Sequence, residues 1–199
     1  VEICTYIVQG ELTHQDSMGT EETLSKGAIQ FMTAGRGVRH QEHNLHPTNP
    51  LRFLQIWINT RKQDLKPNYG SGCLPPESRC NKWSHLVSDI INTSVETPIK
   101  INQDANIFVT EVQPGCTVNV SIAAGRQAYL VCVEGTAHIS SSSSSDDNDS
   151  TTHTIERYDA MEIYQHAALT FSAPAEADGE PLHMLMIEMA FTGKGRTDL

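Results

Sequence analysis

The stretch that decides the fold is Tyr6–His14 (YIVQGELTH), an apolar run that ends at a glycine and is followed by a shorter run. A similar stretch, LVCVEGTAH, occupies residues 130–138, and a second apolar run follows each copy, at Ile29–Met32 and at Met161–Tyr164. An apolar strand, a glycine turn and a shorter strand are typical of antiparallel β-structure. Because the pattern occurs twice, the sequence predicts an all-β protein built from two similar β-barrels.

The segment between the two copies is rich in proline and glycine. Lys66–Cys80 (KPNYGSGCLPPESRC) contains three prolines and two glycines, which favours a linker. We therefore expect a first barrel over residues 1–66, a linker over 67–82 and a second barrel over 83–199. Within the second barrel, the serine- and aspartate-rich segment 140–150 cannot bury enough apolar area to offset its ordering entropy, which predicts a poorly ordered hairpin tip.

Composition excludes several classes of function. The chain carries 14 basic and 24 acidic residues, a net charge of −10, and such an acidic chain repels phosphates, so direct nucleic-acid binding is not expected. No apolar run is long enough to predict a membrane-spanning helix. The five cysteines are irregularly spaced, which favours reduced thiols in a cytoplasmic protein, with the nucleus as an alternative location. Since Val1 already lies in a strand-like run, we expect the sequence to start within a longer protein.

A candidate metal site lies in residues 33–44 (TAGRGVRHQEHN), where a glycine turn leads into an extended segment. His40 and Glu42 are two residues apart, and on a strand such side chains leave the same face. An imidazole and a carboxylate on one face suit a first-row transition metal, in particular an iron site of the two-His-one-carboxylate kind. A surface strand that carries one histidine and one charged neighbour is the alternative. This pair of residues leaves both interpretations open.

Longer motifs occur around this site in a fixed order. They include TYIVQG (5–10), HQDSMG (14–19) and MTAGRGVRH (32–40), and later INQDA (101–105) and GRQAYL (125–130). Together they resemble the pirin family of the cupin superfamily, especially its shorter bacterial-type branch. The resemblance covers most of the chain and implies two cupin-type antiparallel β-barrels, a bicupin, with one metal, usually iron, in the first barrel.

The resemblance also implies a set of four metal ligands. In the family an H-x-H pair is followed, further along the chain, by a histidine and a glutamate two residues apart. His40 and Glu42 match the second pair, whereas the first pair would precede Val1 and is not in this chain. We therefore expect this chain to bind Fe(II), or another divalent transition metal, weakly. His14 matches a family position that is not a ligand, and no metal is expected in the second barrel.

Two kinds of function follow from the resemblance. Some pirins cleave flavonols such as quercetin with O2, as quercetin 2,3-dioxygenases, and Glu42 is the candidate base for the flavonol's 3-hydroxyl proton. Others are non-catalytic iron-binding regulators or interaction partners of transcriptional or metabolic proteins. A flat flavonol requires an apolar pocket. The candidates to line it, residue types that more often form a plain core than a pocket, are Phe31, Met32, Phe53 and Trp57.

Overall fold

The computed structural model describes residues 1–141, 153–164, 168–175, 181–191 and 193. Within these residues the chain forms seventeen β-strands, one short 3-10 helix at Pro76–Ser78 and no α-helix, which confirms the all-β prediction. No helix in this described part of the chain is long and apolar enough to span a membrane. The strands, in chain order, are β1 Glu2–Gln9, β2 Glu11–Asp16, β3 Glu21–Ser25, β4 Ala28–Thr33, β5 His40–His43, β6 Arg52–Ile58, β7 Asn68–Cys73, β8 Ser84–Asp89, β9 Ile99–Ile101, β10 Ala105–Val112, β11 Thr117–Ser121, β12 Arg126–Glu134, β13 Thr136–Ser141, β14 His153–Glu156, β15 Ala160–Tyr164, β16 Ala168–Ser172 and β17 Leu182–Ala190.

The chain divides into two compact units. Unit 1 consists of Val1–Pro75 and Leu86–Asp104, and unit 2 consists of Pro76–His85 and Ala105–Leu199. The sheets of both units are mainly antiparallel, with β8 and β9 forming a parallel pair, and two such β units fit the predicted bicupin architecture.

Unit 1 contains a four-stranded sheet in the order β6-β1-β4-β7 and a three-stranded sheet in the order β3-β2-β5. An apolar cluster that includes Ile7, Leu12 and Ala28 packs in its interior. Two residues away along β1 and β4, Thr5 and Gln30 are paired in register and are both buried. Because side chains alternate along a strand, Thr5 and Gln30 face the same way as Ile7 and Ala28. The interior of unit 1 therefore changes from apolar to polar along these two strands.

The predicted linker contains a strand of unit 1. β7 pairs with β4 along its whole length, from Asn68 to Cys73. The two glycines of β7 allow close packing, since a Cβ on Gly70 would lie 2.7 Å from Phe31 Cε1 and one on Gly72 would lie 2.6 Å from Pro98 Cβ. The prolines fall before and after the strand, where no ladder hydrogen bond is lost.

The boundary between the units also differs from the expected one. Residues 86–104 join unit 1, where the buried Glu2 carboxylate accepts hydrogen bonds from the Asn102 backbone N–H (3.1 Å) and side-chain amide (2.7 Å). Residues 76–85 join unit 2, where the Arg79 carbonyl accepts a hydrogen bond from the Glu111 N–H (2.8 Å). Because these contacts join residues far apart in sequence, local composition does not reveal them.

Unit 2 has an apolar interior. Strands β15, β12, β17 and β10 lie side by side in one sheet, and a second sheet has the order β11-β16-β13-β14. Leu130, Phe171 and Met184 are fully buried in the cluster between them. Of the predicted tip 140–150, Ser140 and Ser141 end β13, and the remainder lies outside the described residues.

The sequence repeat corresponds to a repeated structure. β1 pairs with β4 as β12 pairs with β15, both antiparallel. Gly10 and Gly135, the turn glycines of the two copies, have φ values of 77° and 78°, a left-handed conformation that favours glycine. The strand before each glycine also has an irregular register, at Ile7/Gln9 in β1 and at Cys132/Glu134 in β12.

Candidate metal centre

The site is built on the pairing of β5 with β2. In this antiparallel pair Asp16 is opposite His40, and His14 is opposite Glu42. Residues that are opposite each other, and residues two apart on one strand, point to the same face. The register therefore brings His14, Asp16, His40 and Glu42 to one face of the three-stranded sheet. His14 and Asp16 join the pair that the sequence singles out.

The Glu42 carboxylate is held by donors from the facing four-stranded sheet. Gln30 Nε2 donates to Oε1 at 2.7 Å, Gln55 Nε2 donates to Oε2 at 2.8 Å, and Thr5 Oγ1 lies 3.3 Å from Oε1. An ionised carboxylate has about four acceptor positions. The three donors, from β4, β6 and β1, thus fix the orientation of the carboxylate.

The two glutamine amides are themselves held by aromatic side chains. Trp57 Nε1 donates to Gln55 Oε1 at 3.0 Å, and because an indole N–H can only donate, the Gln55 amino group must face Glu42. The Tyr69 hydroxyl lies 3.1 Å from Gln30 Oε1 and 2.8 Å from Glu22 Oε2, so its single proton faces both acceptors. Aromatic donors in the outer layer therefore set the orientation of the amides that contact the carboxylate.

His14 is fully buried beside this network. Its Nε2 lies 3.2 Å from Asp16 Oδ2, and its Nδ1 has no hydrogen-bond partner among the described residues. The imidazole stacks with the Tyr69 ring (centroids 4.4 Å apart, planes at 21°) and with the His40 ring (5.8 Å, 19°). The His14 ring thus lies nearly parallel to each of the other two rings, and His14, which the sequence assigned to a non-ligand position, stacks with one of the two candidate ligands.

The surroundings set the charge of two neighbouring groups. Burial alone would raise the pKa of Asp16, but the Thr20 N–H, the His14 ring and the Met18 N–H lower it below its ordinary value. Burial, followed by the hydrogen bond to Glu22 and nearby carboxylate charge, raises the pKa of Tyr69 well above its ordinary value. Asp16 is therefore a carboxylate, and Tyr69 is a neutral donor, at ordinary pH.

The four candidate pocket residues do not all share one face of the sheet. Phe31 and Met32 are adjacent on β4 and therefore point to opposite faces of the sheet, and both are buried. Phe53 and Trp57 share a face of β6 with Gln55, which reaches Glu42, and their side chains are 37% and 64% exposed.

A depression of about 440 Å³ does lie beside His40, but its lining is polar. Arg39 and Asp16 contribute to this lining, together with backbone and side-chain groups of the β2–β3 turn, and none of the four candidate pocket residues does. The sequence could not foresee this cavity, because the turn and His40 come together only when β2 pairs with β5.

Sequence reasoning also missed the residues that hold Glu42, although signals for some of them exist. Gln30 lies in AIQFMT and Gln55 lies in RFLQIWI, and a glutamine in an otherwise apolar strand is a candidate for a satisfied interior polar group. Tyr69 has no such signal, since its segment has the composition of a linker.

His40 and Glu42 suit a divalent metal as two of its ligands. The pair combines an imidazole nitrogen with a carboxylate oxygen, and the carboxylate is oriented by outer hydrogen bonds, as metal-binding carboxylates commonly are. Among the described residues no group of three or more His, Cys, Asp or Glu side chains is placed to hold a metal ion. The described part of the chain thus supplies a partial donor set.

Comparison with known proteins agrees with this fold. A family model described as Pirin matches residues 1–58, and one described as Quercetinase C-terminal cupin domain matches residues 92–189. A pirin-like protein of Caulobacter vibrioides is 33% identical over 70% of this chain and 59% of that protein. A quercetin 2,3-dioxygenase of Escherichia coli is 32% identical over 70% of this chain and 58% of that protein. The chain thus spans less than two thirds of the length of these relatives.

Solved structures give the same result. YhhW from Escherichia coli is 25% identical and superimposes with a TM-score of 0.75, over 94% of this chain and 71% of that chain. Its complex with nickel(II) superimposes with a TM-score of 0.73. Since both units match pirin models and the fold matches a bacterial pirin, this chain belongs to the pirin family of the cupin superfamily.

Proposed function

We propose that the protein is a metal-dependent oxygenase of the quercetin 2,3-dioxygenase type, which takes a flavonol and O2 and uses Fe(II) or another divalent transition metal. The observation that carries the proposal is the Glu42 carboxylate, held by Gln30 and Gln55 on the face of β5 that also carries His40. The name of the Escherichia coli relative supports the reaction class, and the nickel(II) complex of YhhW supports a divalent metal.

His40 and Glu42 are the residues of this chain that would hold the metal. When bound, a divalent metal acts as a Lewis acid that favours the anion of the flavonol's 3-hydroxyl. Glu42 accepts the proton from that hydroxyl on a carboxylate oxygen, while Gln30 and Gln55 keep the carboxylate aimed at it. Positioning of this kind matters because a small misplacement of a catalytic group costs a large part of the rate.

Ligand number decides what this chain does by itself. His40 and Glu42 are two of the four ligands that the family resemblance implies. We expect Val1–Leu199 to bind iron weakly and to show no significant quercetin oxygenation. A form extended upstream of Val1 with an added H-x-H pair should gain both, because several preorganised ligands must replace the waters of a hydrated ion.

The test measures iron content and oxygen uptake on quercetin for both lengths. Glu42→Gln in the longer form should abolish uptake, and Glu77→Gln, which changes an exposed glutamate of the 3-10 helix, is the matched control. Stoichiometric iron and turnover in the shorter form would contradict the ligand argument. If the longer form held iron but oxidised no flavonol, a non-catalytic, iron-binding regulatory or interaction function would replace the proposal.

A further inference from the structure

We propose that Tyr69 is a positioning residue for both candidate ligands, His40 through its ring and Glu42 through its hydroxyl. The proposal rests on the metal site of the proposed function. It assigns a role at that site to Tyr69, which influences His40 and Glu42 through other side chains. The Tyr69 ring acts on His40 through His14, and the Tyr69 hydroxyl acts on Glu42 through Gln30.

The first path runs through the ring. The Tyr69 ring lies against the buried imidazole of His14, with centroids 4.4 Å apart, and His14 in turn stacks with His40 at 5.8 Å. Asp16 holds the edge of His14 through a contact of 3.2 Å to Nε2. Because Tyr69 packs on the face of the His14 ring and Asp16 contacts its edge, the orientation of this ring next to His40 is restricted.

The second path runs through the hydroxyl. The Tyr69 oxygen lies 3.1 Å from Gln30 Oε1, and Gln30 Nε2 donates to Glu42 Oε1 at 2.7 Å. A carboxamide whose oxygen accepts from a hydroxyl must turn its amino group away from it, toward the carboxylate. The hydroxyl thus selects the orientation of Gln30 that holds Glu42.

Tyr69 is itself well anchored. It lies on β7 opposite Met32, and its hydroxyl shares its single proton between Gln30 Oε1 and Glu22 Oε2, which is 2.8 Å away. The other oxygen of that carboxylate accepts from Ser71 Oγ at 2.9 Å, so Glu22 is held by two residues of the same strand. Movement of β7 would therefore disturb both paths together, and removal of the hydroxyl alone would disturb only one.

Two substitutions separate the paths. Tyr69→Phe keeps the ring and removes the hydroxyl, whereas Tyr69→Leu removes both. Tyr164→Phe is the matched control, since it removes a tyrosine hydroxyl that donates to a glutamate, Glu162, in unit 2. Circular dichroism and thermal unfolding establish that each variant is folded. If Tyr69→Leu does not fold, Tyr69→Met replaces it in the test of the ring path, and Tyr69→Phe still tests the hydroxyl path.

The first readout is the NMR spectrum of the histidine rings in metal-free Val1–Leu199. Stacking on an aromatic ring displaces the His14 ring-proton resonances, so Tyr69→Leu should shift them and those of His40. Tyr69→Phe and Tyr164→Phe should leave them in place. Unchanged His14 and His40 resonances in folded Tyr69→Leu would overturn the ring path.

The second readout is the affinity of the same chain for Co2+, followed by the visible absorption of the bound ion. Outer-layer partners of metal ligands typically change metal affinity by about 10- to 100-fold. We expect Tyr69→Phe to raise the dissociation constant about 10-fold, Tyr69→Leu to raise it further, and Tyr164→Phe to leave it unchanged. A dissociation constant for Tyr69→Phe within twofold of the unaltered chain would overturn the hydroxyl path.

The two readouts keep failure of this inference distinct from failure of the proposed function. If the unaltered chain and its upstream-extended form bind no Co2+, the metal site fails and the assignment of Tyr69 to it is overturned. If Co2+ binds and the Tyr69 variants behave like Tyr164→Phe, the metal site stands and the positioning role is wrong.

Discussion

The two units share their strand pairing but differ in the chemistry of their interiors. Five residues before the turn glycine, β1 carries Thr5 and β12 carries Leu130. Their register partners differ in the same way, since Thr5 pairs with Gln30 and Leu130 pairs with Met161. Four residues after the glycine, unit 1 has the buried His14, and unit 2 has Ile139 at the same distance from its glycine.

The difference shows that a few interior positions decide what a cupin-type unit can do. Apolar side chains in the interior of unit 2 pack against one another and require no partners. A polar group in the interior of unit 1 is stabilised by a hydrogen bond, because an unsatisfied buried polar group costs about 1–3 kcal/mol. Thr5, Gln30 and Glu42 meet this requirement by bonding to one another, and the result is an oriented carboxylate.

The largest expected effect comes from opening the apolar interior. Phe171 is fully buried in unit 2, and Phe171→Ala should lower the free energy of unfolding by about 3–5 kcal/mol through lost contacts and a residual cavity. Urea unfolding measures it, with the fluorescence of Trp83 as a reporter of unit 2 in a Trp57→Phe background. Tyr129→Ala, at an aromatic side chain of unit 2 that is 41% exposed, is the control. Equal effects of the two substitutions would contradict the assignment of the core.

A smaller effect is expected from exchanging the chemistry of the two units. Leu130→Thr places a hydroxyl in the apolar interior and should cost about 2–4 kcal/mol. Thr5→Val removes one donor from a carboxylate that keeps its two amide bonds, and should cost about 0.5–1.5 kcal/mol. Urea unfolding compares the two. A larger loss for Thr5→Val would show that the polar interior is the less tolerant one.

The stability of the unaltered chain should depend on pH differently from that of Asp16→Asn, in which the carboxylate is replaced by a neutral amide. The pKa of Asp16 in the folded protein lies below its ordinary value of 3.8, so its contribution to stability is present above that pH and is lost as pH falls through the folded-state pKa. The difference in Tm between the unaltered chain and Asp16→Asn should therefore be constant above about pH 5 and narrow in more acidic solution. If the difference in Tm instead increased as the pH is lowered, the direction assigned to the pKa shift of Asp16 would be contradicted.

The smallest effect concerns thiol reactivity and needs no mutation. Burial, followed by the charge of Glu2, raises the pKa of Cys4 to about 12, and burial with nearby carboxylates raises that of Cys132 to about 12. Cys73 and Cys80 are exposed. With a disulfide reagent at pH 8, Cys73 and Cys80 should react in the fast phase, and Cys4 and Cys132 only on unfolding. Mass spectrometry of the labelled peptides identifies them, and early labelling of Cys4 would contradict its burial.

Local sequence patterns determined the fold class and part of the site. The repeat around Gly10 and Gly135 predicted two β units, because strand period and turn glycines are local properties that survive in the structure. The same holds for His40 and Glu42, whose spacing places them on one face of any strand. Gln30 of β4 and Gln55 of β6 were visible in the sequence as polar residues in apolar strands, although their shared partner Glu42 was not.

Only the tertiary structure decided which other side chains meet that pair. His14 reaches His40 because β2 pairs with β5, and Tyr69 reaches His14 and Gln30 because β7 pairs with β4. The sequence did not predict β7, because its two glycines are typical of a linker. In the structure these glycines allow Phe31 and Pro98 to pack against the strand. Strand register and close approach depend on contacts between residues far apart in sequence, and a local pattern carries no information about them.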